Sequence, residues 1–205
     1  TFAKGGVPVT EHVSLMALLK DVVEFDLSGG NVKPVFEPAE DIWAAEVDKA
    51  QIQQIFSNLT LNAVQAMPQG GHLYLSMQNC DGFEASDGVR REGEYVQVCF
   101  RDEGCGIAAN LLGDIFDPYF TTKQTGNGLG LATAYSIIQR HKGDIQVTSE
   151  LGKGSTFTLY LPASKEALLI EPEPVYAVAS FSSEKRGGAR ILVMDDEAMI
   201  RTLTS

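Results

Sequence analysis

Two asparagines four residues apart, Asn58 and Asn62, precede three glycine-rich segments: Asp102-Glu103-Gly104-Cys105-Gly106, Gly126-Asn127-Gly128-Leu129-Gly130-Leu131 and Gly152-Lys153-Gly154-Ser155-Thr156-Phe157. Asp102 offers a carboxylate that can accept from an exocyclic amine such as that of adenine, while Gly104 and Gly106 let the backbone approach a flat ring. The second segment opens into a helix, where unpaired N–H groups and the helix dipole favour an anion. Asn62 supplies a neutral oxygen of the kind Mg2+ accepts beside its retained water, and Asn58 can hold that water shell or orient phosphates. Lys123, in a loop with Thr121 and Thr122, is the candidate phosphate contact. Thr156 can reach the adenine side through a water. Singly, each feature has a plainer reading as a turn, a solvated lysine or an exposed amide. In this order they describe a pocket for a purine nucleotide and a metal ion, and ATP is the expected ligand.

These groups need elements to hold them. Asp48 reads as an N-cap for a helix to about Met67, stopped by Pro68 and the Gly70-Gly71 turn. Its apolar stripe is Ile52, Ile55, Phe56, Leu59, Ala63 and Ala66, so Asn58 and Asn62 lie side by side on a neighbouring polar flank. Upstream, Thr10 is the expected cap of a helix to about Glu24, followed by a hairpin of strands near 32–37 and 41–47. Strands at 72–79 and 95–101 flank a polar loop from Asp81 to Glu94, and the second ends in the first glycine segment. A short helix near 108–115, a helix from Gly130 to Lys142 and strands at 144–149 and 155–161 complete the domain at Pro162. The expected class is α/β, a two-layer sandwich with a mixed, mainly antiparallel sheet covered on one face by helices.

At 205 residues with a net charge of −11, the chain suits one well-cored domain with extensions. The acidic balance speaks against a nucleic-acid surface, which needs a basic patch. A polyphosphate must then be met by local donors and a divalent cation. Three cysteines without metal-ligand spacing suit a reducing cytoplasm. No apolar run of about 18 residues appears, so no direct membrane contact is expected of this chain, although its parent could be anchored. His12, His72 and His141 read as structural or surface residues. From 163 to 188 the composition becomes that of a linker, and residues 189–205 open with a buried strand over 189–197 that ends in Asp195, Asp196 and Glu197.

The chain resembles the ATP-binding catalytic domain of sensor histidine kinases, in the superfamily shared with gyrase-type ATPases and Hsp90 chaperones, over residues 1–162. Asn58 to Met67 is similar to the asparagine box, Asp102 to Gly106 to the first glycine box, Phe116 to Lys123 to the phenylalanine box, and the later glycine segments to the rest. The resemblance implies a Bergerat-type ATP-binding fold, with nucleotide contacts at Asn58, Asn62, Asp102, Gly104, Gly106, Ile107, Thr121, Thr122, Lys123, Gly126, Gly128, Leu129, Gly130, Leu131 and Thr156. It implies Mg2+ at Asn62 and roles for Asn58, Asn62 and Lys123 in transfer.

Hydrolysing relatives carry a Glu where Asn58 stands, so the resemblance implies a γ-phosphate kept for another acceptor under a mobile lid of about residues 116–128. That acceptor is expected to be a histidine on a separate helical phosphoacceptor domain of the same parent kinase, since no such histidine motif occurs here. The tail resembles the first strand of a receiver domain, pointing to a hybrid kinase signalling to that receiver or to a response regulator. The alternatives are a protein serine kinase or slow ATPase of the same superfamily, and a nucleotide-sensing module without transfer activity.

Overall fold

The computed structural model describes residues 8–38, 40–122 and 126–165. Lys123 and the tail from residue 166, which includes the expected receiver-like strand, lie outside the described residues. Among the described residues, three α-helices, α1 (Leu15–Asp26), α2 (Lys49–Ala66) and α3 (Gly130–Arg140), accompany seven strands. The strands are β1 (Glu11–Val13), β2 (Val32–Pro38), β3 (Ala44–Val47), β4 (Gly71–Glu84), β5 (Arg90–Asp102), β6 (Asp144–Glu150) and β7 (Gly154–Ser164). They form one sheet in the order β1-β3-β7-β5-β4-β2, with β6 beside β7. Every pairing is antiparallel except β2 with β4.

Strand alternation makes one face apolar. Leu73, Leu75 and Met77 of β4, Val96, Val98 and Phe100 of β5, and Phe157, Leu159 and Leu161 of β7 are buried. They share one core with Leu15, Leu19 and Val23 of α1, Ile52, Ile55, Phe56 and Leu59 of α2, and Ala134, Ile137 and Ile138 of α3. This is the expected helix-on-sheet sandwich, and α2 forms as its signals predict: Asp48 is the N-cap, and its carboxylate accepts from the Gln51 backbone N–H at 3.1 Å.

Four expectations change. Thr10 does not cap α1. Glu11–Val13 pair with β3 instead, and the helix begins after Ser14. Strands β2 and β3 do not form a hairpin but lie on opposite sides of the sheet, because β2 pairs parallel with β4 while β3 joins β1 and β7. The polar stretch from Asp81 to Glu94 is mostly strand, since β4 and β5 continue as a hairpin arm to Glu84 and Arg90 with a bulge between Asp81 and Phe83. Phe83 is the physical reason: it stacks on Tyr160 at 4.1 Å and meets Tyr95 edge-on at 4.8 Å. The expected helix near 108–115 reduces to a 3-10 turn at Ala109–Leu111. In addition, β7 runs past Pro162, because Ala163 and Ser164 pair with Ala45 and Ala44.

Candidate functional site

A cavity of about 600 Å³ opens between α2, the start of α3 and the ends of β5 and β7. Helix α2 contributes Asn58, Leu61, Asn62, Gln65 and Ala66, which at intervals of three and four residues form one continuous strip. Asp102 closes one end of the cavity. It continues the inward row Val96, Val98, Phe100, so the parity that buries those residues also turns its carboxylate inward, where it is only 5% exposed.

Asp102 Oδ1 accepts from the backbone N–H groups of Gly104 (2.8 Å) and Ser155 (3.2 Å). Its neighbour Glu103 has the opposite parity and serves elsewhere. Glu103 accepts from the His72 backbone N–H at 3.1 Å and the Tyr74 hydroxyl at 3.0 Å, and these bonds hold its carboxyl below the usual range. Asp102 is therefore the only carboxylate among the described lining residues.

The first glycine segment is pinned on both sides. Cys105 N–H donates to the Ala66 carbonyl at 3.1 Å, and Gly152 N–H donates to the Cys105 carbonyl at 2.7 Å. A Cβ on Gly104 would lie 2.6 Å from Ala66 Cβ and 2.7 Å from Ala66 O. Only glycine permits this approach, which fixes Asp102 against the end of α2.

At the other end, Gly130 lies beside Asn58, with 3.6 Å from an ideal Cβ at Gly130 to Asn58 Oδ1. Leu129 precedes α3 without a capping side-chain bond, and Gly128, Gly130 and Leu131 at this helix start line the cavity, where the helix dipole favours an anion. Gly128 has φ +65°, and its carbonyl accepts from the Tyr119 N–H at 2.9 Å, tying this turn to the 116–122 loop. Phe120 of that loop also lines the cavity, and Phe116 packs on Tyr135 of α3 with ring centres 5.4 Å apart. From Asn58 to Ala66 the helix rises about 12 Å, which separates an anion-favouring end from an amine-accepting end.

Of the residues expected at the site, Asn58, Asn62, Asp102, Gly106, Ile107, Thr121, Thr122, Gly126, Gly128, Gly130 and Leu131 line the cavity. Gly104 and Leu129 stand behind it: Gly104 makes the α2 contact, and Leu129 N–H donates to Asn127 Oδ1 at 3.2 Å. Thr156 is displaced outright. Alternation along β7 turns it to the other sheet face, into a shallow depression with Arg101, Thr148 and Lys153 that Asp102 and Ser155 also border, and leaves Ser155 rather than Thr156 lining the cavity. Sequence reasoning also missed Ile115, Leu61 and Gln65. The helical period that grouped Asn58 with Asn62 already contained the signal for Leu61 and Gln65, whereas the parity of the buried residues in β7 was the signal for Ser155.

Three helices over one face of a mixed sheet, with this cavity between α2 and the start of α3, define a class, and residues 47–165 match the family described as "Histidine kinase-, DNA gyrase B-, and HSP90-like ATPase". The chain belongs to that family. It is 36% identical to the sensor kinase CckA of Brucella abortus (strain 2308) over 183 residues, 85% of this chain and 19% of that protein. It is 39% identical to the sensor histidine kinase ZraS of Escherichia coli (strain K12) over 143 residues, 70% of this chain and 28% of that protein. The chain thus spans less than a third of the length of these curated relatives. Among solved structures, the catalytic domain of histidine kinase ThkA superposes with a TM-score of 0.62 at 26% identity, covering 77% of this chain and 98% of that one. Full-length ShkA in complex with AMPPNP superposes with a TM-score of 0.64 at 23% identity, covering 77% of this chain and 32% of that one.

Proposed function

We propose that this chain is the catalytic part of a protein-histidine kinase, which binds Mg-ATP in the α2–α3 cavity and donates the γ-phosphate to a histidine on a separate helical phosphoacceptor domain. The observation that carries the reading is the pairing of opposite chemistries across one helix: buried Asp102 beside Ala66, and the open N-terminus of α3 beside Asn58. Adenine's amine would donate to Asp102, and the phosphates would lie against Gly128 and Gly130. Thr121, Thr122, Gly126 and Lys123 would approach the phosphates from the loop side, and Ser155 would replace Thr156 near the base.

The donor set suits Mg2+. No group of three or more His, Cys, Asp or Glu side chains that could hold a metal ion occurs among the described residues. The cation would therefore take the Asn62 amide oxygen together with phosphate oxygens and water, as Mg2+ characteristically does. Bound there, it would neutralise phosphate charge. The chain's own residues orient the nucleotide and exclude water, and Phe120 covers part of the cavity. Asn58 cannot remove a proton from water, and no other described lining residue near it can, which favours transfer over hydrolysis.

The remaining organisation follows from this reading. The stretch after β7 is a linker, residues 189–205 begin a receiver domain with Asp195 and Asp196 near its metal site, and the chain works in the cytoplasm of a larger sensor kinase. The test is phosphorylation in trans of an added helical histidine domain by the chain with Mg-ATP. Acid-labile phosphate on that domain supports the reading. Nucleotide binding without transfer leaves a sensing module, and steady phosphate release with no acceptor indicates an ATPase.

A further inference from the structure

Ser149 lies on β6 behind the cavity rather than in it, and its hydroxyl has three partners. It accepts from the Ile107 backbone N–H at 2.8 Å, donates to the Gly154 carbonyl at 2.9 Å and meets Ser155 Oγ at 3.0 Å. A hydroxyl carries one proton and two acceptor lone pairs. With its proton on Gly154 and one lone pair taken by Ile107, Ser149 completes the third contact only as an acceptor. Ser155 must then donate to it. The single Ser155 proton is thereby turned away from the cavity, and a ligand meets lone pairs.

We propose that Ser149 is a specificity-determining positioning residue: by fixing Ser155 as an acceptor next to Asp102, it makes the base end of the cavity accept a 6-amino purine and reject a 6-oxo purine. The inference rests on the nucleotide reading above. An adenine amine has two N–H groups for the two acceptors. The 6-oxygen of a hypoxanthine nucleotide brings lone pairs to the same place and finds no donor from either residue. Removing the Ser149 hydroxyl frees the Ser155 proton to rotate toward the cavity, where it can donate to that oxygen. It also leaves the Ile107 N–H without its partner, so some affinity is lost for any nucleotide.

The experiment measures displacement of a fluorescent ATP analogue from the full chain by Mg-ATP and by Mg-ITP, in wild type, Ser149→Ala, Ser149→Thr and Ser155→Ala. The expected result is a wild-type preference for ATP that shrinks about fivefold in Ser149→Ala, the factor one ordinary hydrogen bond supplies. Ser149→Thr, which keeps the hydroxyl, restores it. Ser155→Ala shrinks it equally, with no further change in the double variant. Equal loss of ATP and ITP affinity in Ser149→Ala overturns the inference, since a merely structural role moves both alike. A folded wild-type chain that binds neither nucleotide overturns the nucleotide reading itself and the inference with it. Wild-type binding of ATP with an unchanged ratio in Ser149→Ala overturns the inference alone.

Discussion

Asp48 and His141, 93 residues apart in the chain, are joined by a 3.0 Å hydrogen bond in which the Asp48 backbone N–H donates to His141 Nε2. His141 Nδ1 lies 2.9 Å from the Ile137 carbonyl, so the ring is the neutral tautomer with its proton on Nδ1. The bond ties the first turn of α2 to the last turn of α3, the two helices that frame the cavity. His141→Phe keeps the buried volume but orphans the Asp48 N–H. It should lower unfolding free energy by about 2 kcal/mol, read from denaturant midpoints at constant m-value; an unchanged midpoint would show that the bond contributes nothing.

Asp102→Ala removes the carboxylate expected to take the base and strands the N–H groups of Gly104 and Ser155. Affinity for ATP should fall about tenfold to a hundredfold, the scale of a lost hydrogen bond to a charged group. Asn62→Ala should leave metal-free nucleotide binding nearly intact while removing Mg-dependent transfer. Equal ATP titrations of wild type and the Asp102 variant would sink the adenine assignment.

Gly104→Ala places a methyl against both Ala66 Cβ and the Ala66 carbonyl. The overpacking should cost about 2 kcal/mol and loosen the Cys105–Ala66 hydrogen bond, with ATP affinity falling in step. Adding Ala66→Gly removes only the side-chain clash, so recovery should be partial. Full recovery in urea melts would mean that the carbonyl contact is not limiting.

Thr60 is completely buried on α2, and its hydroxyl has no hydrogen-bond partner among the described residues. Thr60→Val exchanges an unsatisfied polar atom for a methyl of similar shape and should raise stability by about 1 kcal/mol. Thermal unfolding measures this directly, and a lowered Tm would contradict it.

The cap of α2 should contribute to acid sensitivity. Burial alone would push Asp48 up, but the N–H groups of Gln51 and Val9 and the Gln51 amide outweigh it, holding the carboxyl below the ordinary Asp range. A depressed folded value contributes stability that is present above the unfolded pKa of about 3.9 and lost as pH falls through the folded value. Asp48→Asn, which can still cap, should flatten the acid limb of a stability–pH curve while changing little at neutral pH.

What the sequence disclosed follows the range of the forces involved. Helix α2 was legible because Asp48, the apolar period and Pro68 all act within a few residues. The inward aim of Asp102 was legible in the alternation of β5. The true start of α1 and the partners of β2 and β3 depend on strands that meet from distant parts of the chain, and Thr10 carries a good local cap signal that this pairing overrides. The hairpin arm was hidden because the partner of Phe83, Tyr160, is 77 positions away. Thr156 was chosen over Ser155 by one residue, an error of parity that the buried row Phe157, Leu159, Leu161 corrects.

Helix α2 sets both ends of the cavity with one hydrogen-bonded rod. The eight steps from Asn58 to Ala66 make just over two turns, so the gap between the amine-accepting and anion-favouring ends is counted in residues of a single helix. Loops can lengthen or shorten around it without changing that gap, whereas one residue inserted between Asn58 and Ala66 would swing Asn58 by about 100° relative to Ala66. The domain can diversify freely at its rim while the length of its ligand stays fixed by helical phase.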